Sequence, residues 1–396
     1  MIYFDHNATT PLSPVARDAW LEASEESWQN PSSPYRSAAR VRNRLEAARE
    51  RVAAVIGAGE PWEVFFNSGA TEGNNSLFSY FSRKAGASHT RKGRASGAPV
   101  LLSFVEHPSV REAAQFYFPG RVAYVPVTAD GRVDPAAFER KVKAISPLLV
   151  SIMAVNNETG VVQPWRQILK ICRSRGIPYH CDASQWVGKL PCEELGECDF
   201  LTASAHKFGG PKGVGFMRVS PQWDDFHGLV GGGQEEGRRG GTENYPSVAA
   251  MTTALEEIEE RGFAELPQRE EQRKEFETAV KEGLPGARVI AEDEERLWNT
   301  VSLFLPGHEN HRWVTRLDRE GFAVSTGSAC ATGSKKPSHV LDAMGFSAGD
   351  VRHVIRVSGG WETDESDWSG LARAIVEIGK RGDSDGDTSL TEVISI

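Results

Sequence analysis

Six short apolar runs constrain what this chain can fold into more than any other feature: Val64-Phe65-Phe66, Val100-Leu101-Leu102, Val122-Ala123-Tyr124-Val125, Leu148-Leu149-Val150, Ile177-Pro178-Tyr179 and Phe200-Leu201-Thr202-Ala203. Each is strand length, and most are apolar without alternation, which marks strands buried on both faces. Between them lie stretches with helical spacing. Alternation of that kind predicts an α/β fold with a largely parallel sheet covered on both sides.

The clearest helix has Ala38, Val41, Leu45, Ala48, Val52 and Val55 at three- and four-residue steps. The serines of Gln29-Asn30-Pro31-Ser32-Ser33-Pro34 are placed to cap it. Further helices are expected near Pro135 to Ile145 and through Ile168, Leu169 and Cys172. One long helical tract from Ser247 to about Arg273 would lead into a smaller carboxyl-terminal α+β domain, with strands at Asn299–Phe304 and Ile355–Ser358 and a helix at Trp313–Leu317. The glycine-dense loop Gly231–Thr242 reads as a hinge or as a close approach to a ligand or a second subunit.

In such sheets ligands sit at the carboxyl ends of the strands. That rule gathers Thr71, His107, Asn157, Asp182, Gln185 and Lys207 at one edge. Each alone has an ordinary explanation as a turn former, a cap or a surface charge. Together they supply what pyridoxal phosphate requires. The Lys207 amine would link to the cofactor aldehyde, and Asp182 would keep the ring nitrogen protonated. His107 would lie on the ring and Gln185 would reach its phenolate oxygen. The Ala70-Thr71 turn at a helix start, with Ser204 and His206, would seat the phosphate.

The net charge of −9 argues against nucleic acid as the main ligand. No apolar run approaches a membrane span, and Met1-Ile2-Tyr3-Phe4-Asp5-His6 lacks the regions of a signal peptide, so the expected location is cytoplasmic. The five cysteines are an odd number without framework spacing. Cys172, Cys181, Cys192 and Cys198 fall in or beside predicted elements and read as inert core thiols. Cys330 stands among small polar residues with Lys335 and Lys336 nearby, as an accessible nucleophile would. Arg356, in a late strand, could clamp a carboxylate or serve a structural ion pair. The basic stretch Arg83 to Gly97 reads as solvated surface, and residues 381–396 as a loose acidic tail.

Ser68-Gly69-Ala70-Thr71-Glu72, Glu106-His107, Asn156-Asn157-Glu158-Thr159-Gly160, Asp182-Ala183-Ser184-Gln185, Ser204-Ala205-His206-Lys207 and Ser328-Ala329-Cys330 occur in that order along the chain. In this the sequence resembles the cysteine desulfurases, pyridoxal-phosphate enzymes of the class V aminotransferase family, in the branch with an extended catalytic-cysteine loop. The resemblance implies the type I fold of pyridoxal-phosphate transferases, with a mostly parallel mixed sheet in a large domain (14–255) and a smaller domain (1–13 and 256–380) carrying the cysteine. It implies removal of sulfur from L-cysteine, giving alanine and a persulfide on Cys330. Asn157 and Arg356 would hold the substrate carboxylate, Lys207 would take the α-proton, and His107 would shuttle protons. It also implies a homodimer in which Thr242 reaches the neighbouring subunit's cofactor, and a sulfur-acceptor protein serving iron–sulfur cluster assembly or tRNA thiolation. The chain departs from the family at Pro34-Tyr35-Arg36-Ser37-Ala38, at Gly359-Gly360-Trp361 and in its tail. A selenocysteine lyase or aminotransferase of the same fold, or a non-catalytic scaffold in a sulfur-transfer complex, is the alternative.

Overall fold

All six apolar runs become strands of one sheet in the computed structural model, which describes residues 1–87, 97–327 and 338–381. In chain order the first elements are β1 (Ile2–Tyr3), α1 (Pro14–Glu26), α2 (Arg36–Ile56), β2 (Val64–Asn67), α3 (Ala70–Ala87), β3 (Val100–Ser103), α4 (Pro108–Tyr117) and β4 (Val122–Val125). There follow α5 (Pro135–Ile145), β5 (Leu149–Ser151), α6 (Trp165–Ser174), β6 (Tyr179–Asp182), β7 (Phe200–Ser204) and β8 (Gly215–Val219). The sheet runs β2-β8-β7-β6-β5-β3-β4. Its neighbours are parallel from β7 to β4, whereas β8 is antiparallel to both β7 and β2. Only residues 205–214 join β7 to β8, too few for the crossover that a parallel neighbour needs.

Alternate residues of these strands feed two cores. Phe66, Leu101, Val150, Cys181, Leu201 and Phe216 pack on one face with α1, α2, α6 and α7 (Tyr245–Arg261). Phe65, Leu102, Leu149, Phe200 and Met217 pack on the other with α3 and α4. The sheet is therefore covered on both sides, as continuous apolar strands require.

The remaining elements are α8 (Leu266–Gly283), β9 (Arg288–Val289), β10 (Thr300–Phe304), α9 (Asn310–Arg319), β11 (Phe322–Ala323), α10 (His339–Ala343), α11 (Ala348–Val351), β12 (Val354–Ser358) and α12 (Glu365–Arg381). Strands β12-β10-β9 form an antiparallel sheet whose apolar side chains pack with Phe276, Trp313, Trp368 and Ile375. Phe4 joins this core, and β1 pairs with β11, so the amino terminus is fastened to the end of the chain. From there residues 5–10 pass back to the large sheet. No helix among the described residues is long and apolar enough to cross a membrane.

Three local expectations are corrected. The tract from Ser247 to Arg273 is two helices, broken at Gly262, whose φ of +66° ends α7. The residue before α2 is Tyr35, with no side-chain cap, because Ser32 and Ser33 lie too far upstream to reach the first free N–H groups. The loop Gly231–Thr242 is no slack hinge. The buried carboxylate of Glu235 within it takes the Arg49 guanidinium at 2.6 Å and the Phe66 N–H at 3.2 Å.

Candidate active site

Strand ends on the large sheet deliver the polar residues one by one. Asp182 is the last residue of β6, and its carboxylate accepts from Asn74 Nδ2 at 3.1 Å and from the Ser184 N–H at 3.0 Å. Lys207 ends a single turn that follows β7, and its Nζ donates to the carbonyls of Asn7 (2.6 Å) and Ala8 (2.8 Å). His107 caps α4: its Nδ1 accepts the Ser109 N–H at 3.2 Å and lies 2.8 Å from Ser109 Oγ. Burial lowers the His107 pKa, opposed by nearby Asp182 and reinforced by Lys207. His206, 3.2 Å from Thr9 Oγ1, is pushed down to about 4 by burial and then by Lys207.

Helix α3 starts at Ala70, whose N–H donates to Ser204 Oγ at 2.8 Å. Gly69 precedes it at φ +135°, and a Cβ there would come within 3.2 Å of that hydroxyl. This turn therefore needs glycine, and it brings the amino end of an 18-residue helix beside Ser204. Gln185 Nε2 donates to the Asn7 carbonyl at 2.9 Å, while its Oε1 accepts from Lys189.

Arg356 in β12 is 1% exposed. It donates to the carbonyls of Asn157 and Gly327, each at 3.0 Å, and to Asp5 Oδ1 at 2.6 Å, while its buried Nε has no partner among the described residues. Every residue that the sequence singled out for the site lines one cavity of about 750 Å³, apart from Thr242 and Cys330. Thr242 is exposed and outside that lining. Cys330 falls outside the described residues, whereas Ser338, eight positions on, lines the cavity.

The donor set fits pyridoxal phosphate. An amine, a carboxylate, an imidazole and a helix amino terminus with a serine and a histidine surround one space, and a guanidinium and an amide complete its lining. An anion seat, a ring-nitrogen partner and a group able to link an aldehyde are thus all present.

Sequence reasoning passed over four members of this environment. Asn7 accepts from Lys207 and Gln185 on its carbonyl and from Lys189 on Oδ1 at 2.9 Å, and its own amide donates to Thr300 Oγ1 at 2.9 Å. Lys189 is fully buried, which depresses its pKa far below the ordinary 10.5. Glu158, also buried and shifted upward by burial, accepts from Ser338 Oγ at 2.6 Å. Asn74 stands behind Asp182. Asn7 and Glu158 sit inside stretches the sequence did mark, but nothing in spacing separates them from turn formers. Trp361, one of the departures, lies away from the cavity lining, donating to the Gly188 carbonyl at 2.9 Å and packing on Trp298.

The four cysteines expected in the core are all buried. Burial pushes the thiol pKa up at Cys172 and Cys181, and to about 12 at Cys192.

The sequence model of the family "Aminotransferase class-V" matches residues 2–369. The cysteine desulfurase IscS of Dictyoglomus turgidum is 35% identical over 371 residues, covering 92% of this chain and 91% of that protein. A solved NifS-like protein superposes with a TM-score of 0.85 at 31% identity, over 96% of this chain and 99% of the other. The structure of SspA in complex with cysteine gives a TM-score of 0.77 at 30% identity, over 90% and 98%. Members of this family depend on pyridoxal phosphate. With nearly its whole length matched in sequence and in fold, this chain belongs to the class V aminotransferases, among their cysteine desulfurases.

Proposed function

We propose that the cavity binds pyridoxal phosphate and L-cysteine, and that the enzyme delivers the substrate's sulfur to Cys330 with release of alanine. The observation that carries this reading is the single cavity shared by Lys207, Asp182, His107, Asn157 and Arg356.

Ala70, Thr71, Ser204 and His206 would hold the phosphate, Asp182 the ring nitrogen, Gln185 the phenolate oxygen, and Lys207 the aldehyde carbon; His107 would cover the ring. When bound, the cofactor supplies an electron sink for the pair left when the substrate's α-proton departs.

The chain's own groups do the rest. Arg356 and Asn157 both line the cavity, a guanidinium and an amide suited to a carboxylate. That contact fixes the substrate so that its α-hydrogen faces Lys207 Nζ, which removes it as a base. The neutral imidazole of His107 can carry a proton between substrate and cavity. The Cys330 thiolate attacks the substrate's sulfur. A sulfur–sulfur bond forms, the carbon–sulfur bond breaks with its electron pair going to carbon, and protonation of that carbon together with return of the α-proton from Lys207 completes alanine.

In the same reading residues 14–255 form the cofactor-binding domain, and residues 1–13 with 256–380 the smaller one. Thr242 serves the cofactor of a second copy of the chain. The persulfide passes to an acceptor protein, either a scaffold for iron–sulfur clusters or a tRNA-thiolating enzyme. The compartment proposed is the cytoplasm.

The test is alanine release from L-cysteine by the purified, cofactor-loaded protein and by its Lys207→Ala variant. Desulfurase chemistry requires turnover in the first and at most single-turnover traces in the second. Equal alanine release by both would remove Lys207 from the mechanism.

A further inference from the structure

Behind Asp182 a file of four buried polar side chains crosses the sheet: Asn74 of α3, Thr202 of β7, His180 of β6 and Ser151 of β5, each 0% exposed. Thr202 pairs with Asp182, and His180 with Ser151, in the strand register, so all lie on the face that α3 covers. We propose that Asn74 is a positioning residue that sets the Asp182 carboxylate, and that Thr202, His180 and Ser151 fix which way its amide faces. The proposal rests on the reading that Asp182 meets the cofactor.

The polarity of each link follows from the one before it. Asp182 accepts from the Ser184 N–H and from Asn74 at 3.1 Å, so the nitrogen of the Asn74 amide must face it. Asn74 Oδ1 is then an acceptor for the Thr202 hydroxyl, at 2.8 Å. With its one proton spent, Thr202 Oγ1 can only accept from His180 Nε2, 3.1 Å away. Burial keeps His180 neutral, so its Nδ1 carries a lone pair that takes the Ser151 hydroxyl at 2.7 Å. A carboxylate at one end thereby dictates an imidazole tautomer at the other.

Two further observations show that the site is built for this contact. Gly73 permits it: a Cβ there would come within 2.7 Å of Thr202 Cγ2, so any larger residue would lift α3 off β7. The second N–H of Asn74 donates to Ser109 Oγ at 2.9 Å, which stands 2.8 Å from His107 Nδ1. One amide thus touches the supports of both groups assigned to the ring, the carboxylate directly and the histidine through a serine. Satisfying buried polar groups requires hydrogen bonds but not this shared amide.

The test has two arms. In the unloaded full chain, nitrogen-15 NMR of the histidines should show His180 neutral and protonated on Nε2; an Nδ1–H tautomer overturns the proposal. In the loaded enzyme, Thr202→Val keeps the shape and removes the link to Asn74. It should lower kcat for L-cysteine roughly tenfold with KM held within about twofold, because Asp182 acts on the electron sink and not on the substrate carboxylate. Thr202→Ser should restore kcat, and Asn74→Leu should match or exceed the loss. Folded Thr202→Val and Asn74→Leu with wild-type kcat, or with KM raised alone, overturn the proposal even if thermal stability falls. If Asn74→Leu does not fold, the Thr202 pair and the wild-type tautomer still decide. Failure of wild-type turnover strikes the desulfurase reading instead, while the tautomer remains measurable without it.

Discussion

Arg356 and Asp5 are joined at 2.6 Å, with solvent reaching 2% of the arginine side chain and 20% of the aspartate's. The same guanidinium reaches carbonyls at Asn157 and Gly327, so three separate segments fix its plane. A carboxylate from the amino terminus therefore orients the arginine proposed to meet the substrate's carboxylate.

Removing that partner should act on substrate binding before chemistry. Asp5→Ala is expected to raise KM for L-cysteine roughly tenfold while kcat changes less than about threefold, since a misaligned guanidinium loses bidentate contact. Steady-state alanine kinetics check this. An unchanged KM would make the pair purely structural.

Gly73 offers a contest between two effects of known sign. Glycine to alanine inside a helix ordinarily stabilises by about 1 kcal/mol. Here the added Cβ would sit 2.7 Å from Thr202 Cγ2, and overpacking of that kind costs roughly 1–3 kcal/mol. Gly73→Ala should therefore lower the thermal midpoint and weaken pyridoxal phosphate binding. A stabilised variant with normal cofactor affinity would show that α3 can shift freely.

Much of this fold is written in local pattern. The helix Pro135–Ile145 and the strand Val122–Val125 have the ends that the sequence suggests, because a proline start marks the first and valines at both ends mark the second. The lining residues were legible because strand ends collect ligand-binding groups, whatever their distance in sequence. What stayed hidden depends on contacts between distant segments. Asn7 matters because Lys207, Gln185 and Lys189 converge on it from up to 200 positions away. Asn74 looks like any polar helix residue until Thr202 and Asp182 are brought against it. The break at Gly262 was obscured because the charged helix beyond it continues a helical composition.

Lys189 inverts the usual rule of conservative substitution. Its amine donates to Asn7 Oδ1 and Gln185 Oε1, two acceptors that match the two protons of a neutral amine, and full burial favours that form. Arginine cannot discard its charge. Lys189→Arg should lower the thermal midpoint more than Lys189→Met does, by differential scanning calorimetry. The opposite ranking would mean that the site holds a cation.

The histidines set the acid limb of stability. His6, His180, His206 and His339 are each held at about 4 against an ordinary 6.5, with burial the leading cause. Between those values the unfolded chain binds more protons, so stability present above pH 6.5 is lost as pH falls toward 4. Glu106 acts in the opposite sense. Burial lifts it from 4.5 to about 8, so stability present below pH 4.5 is lost as pH rises through 8. Among the large shifts four histidines act against one carboxyl in the acid range, and the thermal midpoint should be lower at pH 5 than at pH 7. Glu106→Gln should gain on the wild type more at pH 8 than at pH 6. A gain independent of pH would place Glu106 outside this balance.

The most direct measurement is intact mass and peptide mapping of the cofactor-loaded protein after addition of L-cysteine, with alanine counted in the same sample. Desulfurase chemistry predicts a reductant-labile added sulfur on Cys330, matched by alanine, and neither accumulating in repeated turnover by Cys330→Ser. Sustained alanine production by Cys330→Ser, or added sulfur on another residue, would contradict it.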